Sequence, residues 1–236
     1  MLKAAKNRLL DLIFPPLCLT CEKHLAKEKD NGPVCATCIA SPIRYQNLFC
    51  PICLNNLKDE SDTCHPHALY SLAPATNYDN PIIKKIVWQL KYEGWQSLAA
   101  PLAQLLIITA KDNNLELNNT IVVPLPLHSS KKRTRGFNQS ELMADIVKSQ
   151  LHLVWSPHNL ERVKNTASQA NQPDWGAREK NVEDAFFVNN PEQFLNKNVI
   201  LIDDIFTSGT TLKEAARVLK LAGANKITAL VIARAR

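Results

Sequence analysis

One stretch of the chain combines the residue types that would bind a phosphorylated sugar. Residues 199–202 are apolar, as in a buried strand, and Asp203 and Asp204 follow them directly. A hydroxyl-rich turn, 207–211, then leads into an amphipathic helix. A helix start suits a phosphate because its first backbone N–H groups lack intrahelical partners and carry partial positive charge. The carboxylates add acceptors for hydroxyl groups or ligands for Mg²⁺, so we predict a sugar-phosphate site.

The same stretch resembles the motif with which type I phosphoribosyltransferases bind 5-phosphoribosyl-1-pyrophosphate (PRPP). The resemblance implies that Asp203 and Asp204 meet the ribose hydroxyls, with Mg²⁺ bound together with PRPP. It also implies that the 5-phosphate is wrapped by Thr207, Ser208, Gly209, Thr210 and Thr211. A side chain at Gly209 would crowd that phosphate. The alternative is a strand whose acids and hydroxyls only cap the next helix, but capping needs one such residue and not seven.

All 7 cysteines lie in the first 64 residues, and six of them form three Cys-x-x-Cys pairs. Each pair supplies half of a tetrahedral thiolate site, and a site filled by thiolates is structural rather than catalytic. Cys64 would begin the fourth pair, with His67 at the spacing of its second ligand and His65 as the less favoured choice. We predict two structural zinc ions, bound by Cys18, Cys21, Cys35 and Cys38 and by Cys50, Cys53, Cys64 and His67. Interleaved pairing and disulfides are the alternatives.

Length and composition describe an ordinary globular chain. Its 236 residues suffice for one sizeable core and a small module, and 45% hydrophobic with 21% charged residues is typical of soluble proteins. No apolar run has the length of a transmembrane helix. The net charge is +6, but thiolates and zinc would leave the cysteine-rich module negative, so that module is not predicted to be a basic surface. Residues 1–14 predict a short amphipathic helix that docks on the body, with a membrane-surface or partner helix as the alternative.

Beyond residue 69, strand and helix patterns alternate, which predicts a doubly wound α/β domain. The apolar stretch 120–126 predicts a strand whose end lies beside residues 199–202 in a parallel sheet. In type I phosphoribosyltransferases the matching loop, here Pro124, Leu125 and Pro126, receives the pyrophosphate. Four cations follow, and they repel one another unless an anion neutralises them: Lys131, Lys132, Arg133 and Arg135. We interpret 129–139 as a mobile basic hood over pyrophosphate, against a plain solvated loop.

The whole chain resembles the ComF family, because motifs from both halves recur in order. Besides the cysteine pairs and the PRPP motif, they are Phe14-Pro15-Pro16-x-Cys18, Leu90-Lys91-Tyr92-x-Gly94, the Val123–His128 segment, Arg135-Gly136-Phe137-Asn138-Gln139 and Arg178-x2-Asn181. His67 replaces the usual eighth cysteine, and Ser208 replaces a commoner threonine. The resemblance implies a small N-terminal double zinc ribbon in residues 1–68. It further implies, in residues 69–236, a type I phosphoribosyltransferase-like parallel sheet with helices on both faces.

The resemblance also implies a cytoplasmic competence protein, at the inner face of the membrane, that acts on incoming single-stranded DNA during natural transformation. Partners would be PRPP or a 5-phosphoribosyl group, single-stranded DNA, and competence proteins such as the inner-membrane DNA channel, a helicase or a DNA-processing protein. We favour a DNA-handling protein that keeps a PRPP-type site, in which the basic loop contacts phosphates and Phe137 stacks on a base. The alternatives are a phosphoribosyltransferase that uses PRPP and Mg²⁺ with an unidentified acceptor, and a PRPP-responsive regulator.

Overall fold

The structure, a computed structural model, describes residues 15–25, 32–62, 64–164 and 183–235. The helix predicted at 1–14 and the Arg178-x2-Asn181 motif lie outside these residues. The strands are β1 Leu48–Phe49, β2 Asn56–Leu57, β3 Ser71–Asn77, β4 Thr120–Pro124, β5 Val154–Trp155, β6 Leu160–Arg162, β7 Phe186–Val188, β8 Asn198–Phe206 and β9 Ile227–Arg234. The helices are α1 Ala36–Ala40, α2 Pro81–Tyr92, α3 Ala99–Asp112, α4 Ser129–Arg135, α5 Gln139–Leu151 and α6 Thr210–Leu221.

A seven-stranded sheet in the order β2-β1-β3-β9-β8-β4-β5 forms the centre of the molecule. The five strands from β3 to β5 along this order are parallel, and β4 pairs with β8 as predicted, with Pro124 opposite Ile202. The last strand, β9, lies between β3 and β8, and seven of its eight residues are buried. Continuous burial is typical of a central parallel strand covered on both faces.

Helices cover both faces of this sheet, which explains the two separate apolar clusters. On one face α2, α3 and α5 pack through side chains that include Ile86, Leu102 and Met143. On the other face α6 packs through Leu212, Ala216 and Leu219, as its apolar stripe predicts. Among the described residues, no helix is both long enough and apolar enough to cross a bilayer.

The cysteine-rich module is joined to the sheet through its own hairpin. Strand β1 pairs antiparallel with β2 and, through Phe49 and Leu72, with β3. Further along β3, the Tyr45 N–H donates to the Ala75 carbonyl at 3.0 Å and the Thr76 hydroxyl donates to the Ile43 carbonyl at 2.6 Å. The module therefore extends the same sheet at the β3 edge.

Two predicted elements differ from the structure, and both lie at the candidate site. Strand β8 continues through Asp203 and Asp204 to Phe206, so the acids lie within the strand rather than after it. Residues 129–135, predicted as a loop, form helix α4. The His128 side chain accepts from the Ser130 N–H at its start, and a left-handed glycine, Gly136 (φ +83°), ends it.

Candidate functional site

A buried ion pair holds Asp204 in place. Its side chain is 5% exposed, and Lys91 from the last turn of α2 places Nζ 2.8 Å from its Oδ2. Burial alone would lower the pKa of Lys91, but the charges of Asp204 and Asp203 and the hydrogen bond to Asp204 raise that pKa above its ordinary value. Lys91 is therefore a charged member of the site.

Asp203 lies next to this pair in a different environment. The Ser140 hydroxyl, at the start of α5, donates to its Oδ1 at 3.1 Å. Burial and the neighbouring Asp204 charge raise the pKa of Asp203 to about 7, against the opposing effects of Lys91 and the Ser140 hydrogen bond. The site thus holds one ion-paired carboxylate and one that gains or loses a proton near neutral pH. A bound cation would favour its charged form.

The hydroxyl-rich turn 207–211 is fixed by packing underneath it. Gly209 has φ +73° immediately before α6. A Cβ there would lie 2.6 Å from the Phe206 ring and 3.0 Å from the Tyr70 hydroxyl, so glycine is needed by these contacts, and not only by a phosphate as the sequence suggested. The Tyr70 hydroxyl also donates to the Gly209 carbonyl at 3.4 Å. The turn thereby places its hydroxyls, including the paired Ser208 and Thr210 (2.8 Å), at a helix start.

The proline loop after β4 lies beside the end of β8. The Leu125 N–H donates to the Ile202 carbonyl at 2.8 Å, and the Asn138 side-chain amide donates to the Leu125 carbonyl at 3.1 Å. Pro124 and Leu125 are buried, and Pro126 is half-buried. Two hydrogen bonds therefore fix the shape of this loop.

The four cations of α4 do not act as one group. Lys132 forms an ion pair with Glu141 at 2.9 Å, and Arg133 is exposed. Arg135 donates to Gln139 and lies 5.9 Å above the Tyr92 ring. Burial and the charges of Arg162 and Arg135 lower the pKa of Lys131. Of the four cations, Lys131 thus interacts with Arg162, and Arg135 lies beside Tyr92.

Two residues of the site, Lys91 and Arg162, were not predicted as site residues from the sequence. Burial lowers the pKa of the Arg162 guanidinium, and the charge of Asp203 opposes this shift. The guanidinium lies 5.4 Å from the Phe186 ring, at the end of the antiparallel pair β6–β7. For Lys91 the available signal is the Leu90-Lys91-Tyr92-x-Gly94 motif of the ComF resemblance. No sequence signal indicates Arg162 as a site residue, since a lone arginine on a short strand is common.

The structure corrects the role predicted for Phe137. Its side chain is 7% exposed and packs in the apolar cluster with α3 and α5. A ring that is buried in the core offers no face to a base. The exposed Tyr92 ring lies beside Arg135 instead, and it contacts the exposed ring of Trp88.

The first four cysteines converge as predicted: the Sγ atoms of Cys18, Cys21, Cys35 and Cys38 lie within 4.8 Å of one another. The Cys35 N–H donates to the Cys18 sulfur at 3.3 Å. Although burial raises the pKa of Cys18, backbone hydrogen bonds from Cys35, Cys21 and Thr20 outweigh it and lower that pKa to about 6. Four converging sulfurs, with a stabilised thiolate at Cys18, fit structural zinc, and the pairing is sequential rather than interleaved.

The second cluster corrects the predicted eighth ligand. Cys50, Cys53 and Cys64 converge with His65, not His67, within 4.8 Å. The His65 Nδ1 lies 3.3 Å from the Cys50 sulfur, and the sulfurs of Cys53 and Cys64 are 3.4 Å apart. An imidazole nitrogen lies one bond further from Cβ than a thiol sulfur, so histidine reaches the cluster from the position next to Cys64. None of the seven cysteines, all among the described residues, forms a disulfide.

Comparisons with known proteins agree with both halves of the chain. The family described as a phosphoribosyl transferase domain matches residues 137–236, and the double zinc ribbon domain matches residues 9–67. The DNA utilization protein YhgH of Salmonella typhimurium is 30% identical over 232 residues, covering 94% of this chain and 99% of that protein. Competence protein F of Haemophilus influenzae is 26% identical over 224 residues, covering 93% of this chain and 90% of that protein.

This protein belongs to the ComF family. The predicted type I phosphoribosyltransferase-like sheet, preceded by a double zinc ribbon, is confirmed. Among solved structures, the allosteric regulatory enzyme of purine biosynthesis is similar with a TM-score of 0.38 and 17% identity, over 57% of this chain and 26% of that chain. As a ComF protein the chain thus combines a metal-binding module and a phosphoribosyltransferase sheet.

Proposed function

We propose that this ComF protein binds the 5-phosphoribosyl group of PRPP together with Mg²⁺, and that it handles incoming single-stranded DNA in natural transformation. The observation that carries the proposal is the acid pair of buried Asp204 and half-buried Asp203, held by Lys91 and Ser140 beside the start of α6. The carboxylates of such a site accept hydrogen bonds from hydroxyl groups, and the helix start attracts a phosphate.

Within this proposal, each residue has a task set by its surroundings. Asp204, held in place by its ion pair with Lys91, would accept hydrogen bonds from the ribose hydroxyls. Asp203, in its charged form, would help to hold Mg²⁺, which would supply positive charge for the phosphate oxygens. The turn 207–211 and the first N–H groups of α6 would hold the 5-phosphate, as in other helix-start phosphate sites.

Titration calorimetry with PRPP and Mg²⁺ tests this binding. The wild-type protein should bind, and Asp203→Asn should weaken the affinity by at least about tenfold, because an amide cannot supply the negative charge. Asp145→Asn is the matched control, since Asp145 is a 61% exposed side chain on α5 that forms an ion pair with Lys148. Equal affinity in all three proteins would contradict the assignment of the acid pair.

The competence role rests on family membership and on the relatives named for DNA utilization and competence. We propose that the protein acts in the cytoplasm, at the inner face of the membrane, with the DNA channel, a helicase or a DNA-processing protein as partners. In a transformable bacterium that relies on this chain, the Asp203→Asn and Asp204→Asn double variant should lower transformation frequency. If the variant protein is present at the wild-type level and the transformation frequency is unchanged, the sugar site is not needed for the competence role.

Catalysis is the second candidate, favoured by the cations near Asp203. Lys131, Arg135 and Arg162 influence one another or Asp203 electrostatically, and such a group would stabilise the charge that develops on departing pyrophosphate. The acceptor that attacks C1 of the ribose is not identified by the site. Pyrophosphate release from PRPP, measured with a panel of bases, tests this candidate. Release only in the presence of one base would establish an enzyme.

For the metal module we propose two structural zinc ions, with His65 as the eighth ligand. Metal analysis of the purified protein should find two zinc ions per chain. His65→Ala should lower this number toward one, whereas His67→Ala, two residues away, should leave it at two. The reverse result would restore His67 as the ligand.

A further inference from the structure

The solvent face of α2 carries an unusual pair of aromatic rings. Trp88 and Tyr92 stand one helical turn apart with their ring centroids 5.9 Å apart, and they are 51% and 68% exposed. The opposite face of the same helix is fully used in the core, through residues that include Ile86 and Leu90. Packing therefore does not explain the two outer rings, and neighbouring exposed aromatic side chains mark an interaction surface.

The surroundings of these rings are cationic. A cleft of about 690 Å³ separates the end of α2 from α4, and its walls include Tyr92, Lys131 and Arg135. Arg135 lies over the Tyr92 ring at 5.9 Å. Glu93 is the acidic residue among those that line the cleft, so the cations outnumber it. An anion is thus the charge-complementary occupant.

The cleft adjoins the proposed sugar site. Lys91 lines this cleft and also holds Asp204 at 2.8 Å. The Lys91 side chain therefore lies between the acid pair and a molecule that binds against Tyr92. The combination of a ring face, phosphate-binding cations and a neighbouring ribose site has the chemistry of a nucleotide chain.

We propose that the α2–α4 cleft is a binding surface for single-stranded nucleic acid, with bases stacked on Tyr92 and Trp88 and phosphates at Lys131 and Arg135. This inference rests on the proposed function and names the surface that performs it. A duplex does not fit the same chemistry, because its bases already cover one another's faces. A single strand offers open base faces to protein rings.

Binding of two oligonucleotides tests this surface: oligothymidylate of about 12 nucleotides and an abasic strand of equal length. Fluorescence anisotropy would compare wild type with Tyr92→Leu and Trp88→Leu, which keep apolar side chains of moderate size. Phe187→Leu is the matched control, because Phe187 is a 56% exposed aromatic residue on β7. Far-ultraviolet circular dichroism would verify that the variants are folded.

The normal strand should bind Tyr92→Leu roughly 5- to 150-fold more weakly than wild type. Trp88→Leu should show a loss in the same range and Phe187→Leu no loss. The abasic strand should bind wild type and Tyr92→Leu equally, because the lost contact is to the bases. Equal losses on both strands would overturn base stacking and leave an altered cleft as the cause.

The two proposals fail separately in this design. If wild type binds the normal strand and Tyr92→Leu binds it as tightly, this surface is wrong while DNA handling stands. If wild type binds neither strand, both the surface and the DNA-handling part of the proposed function are overturned. The PRPP titration of wild type reports on the sugar site independently of either result.

Discussion

The acid pair of β8 and the cationic helix α4 lie at the same site but are built differently. Asp204 is buried and its Oδ2 is fixed at 2.8 Å from the Lys91 Nζ. On α4, by contrast, Lys132 and Glu141 form an ion pair whose side chains are 47% and 28% exposed. A buried pair cannot lose one partner without a large penalty, whereas an exposed pair exchanges its partner for water at little cost. The acids are therefore preorganised, and the cations can adjust to a ligand.

The largest expected effect comes from Lys91→Met, which leaves Asp204 buried without its cation. We expect the free energy of unfolding to fall by about 3–5 kcal/mol, and PRPP binding to weaken as well. Urea denaturation measures the first and calorimetry the second. Lys84→Met on the same helix is the control, because its ion pair with Asp79 is exposed and should contribute less than about 1 kcal/mol. Similar losses of unfolding free energy in Lys91→Met and Lys84→Met would contradict the difference between the buried and the exposed ion pairs.

Asp203→Asn should act in the opposite direction on stability. The pKa of Asp203 is raised from 3.8 to about 7 on folding, so the folded protein binds this proton more tightly than the unfolded chain does. Its contribution to stability is present in acid and is lost as the pH rises through about 7. Near pH 8 the variant should therefore be more stable than wild type by at least about 1 kcal/mol, since each unit of pKa shift corresponds to about 1.4 kcal/mol, even though it binds PRPP poorly.

The control for this prediction is the pH series itself. The stability advantage of Asp203→Asn should shrink as the pH falls from about 7 to about 4, where the carboxyl group is protonated in both the folded and the unfolded wild-type chain. In wild type the affinity for PRPP with Mg²⁺ should rise between about pH 6 and pH 8, as the carboxylate forms. A stability difference that does not vary with pH would show that Asp203 is not the titrating group.

The smallest effects are expected on α4, and they should differ within the helix. Arg135→Gln should weaken pyrophosphate binding roughly tenfold, the equivalent of about 1.4 kcal/mol, because this cation borders the cleft. Lys132→Gln should change it less than about threefold, since Glu141 already neutralises Lys132. Competition calorimetry with pyrophosphate measures both. A larger effect at Lys132 would mean that the Glu141 pair opens when the ligand binds.

The chemical groups of the site could be predicted from the sequence where they follow local patterns. An apolar run, two acids and a turn before an amphipathic stripe predict β8, the turn and α6 together, and the proline-ended run predicts its neighbour β4. The fold class followed from the alternation of such patterns. Long-range partners do not follow in this way, because nothing near Asp204 in the sequence points to Lys91.

In helix α4 two electrostatic effects compete, the mutual repulsion of the cations and their attraction to the helix dipole. Mutual repulsion of its four cations favoured a loop, but three of them, Lys132, Arg133 and Arg135, lie in the last turn, where the helix dipole attracts positive charge. His128 and Gly136 complete the helix at its ends, and both signals are readable locally. The choice of His65 over His67 depends instead on side-chain reach within a folded turn, which spacing alone does not define.

The hairpin at the β3 edge has a consequence for solubility. Sheet edges present unpaired N–H and carbonyl groups that recruit strands of other molecules, and proteins protect them by covering or shortening. At one edge of this sheet β5 has only two residues, while at the other the segment 43–49 and β2 shield the seven-residue β3. Metal held by the second cluster, which begins at Cys50 directly after β1, would keep that shield in place. Chelation would then uncover a long strand edge, and self-association through β3 would accompany the loss of zinc.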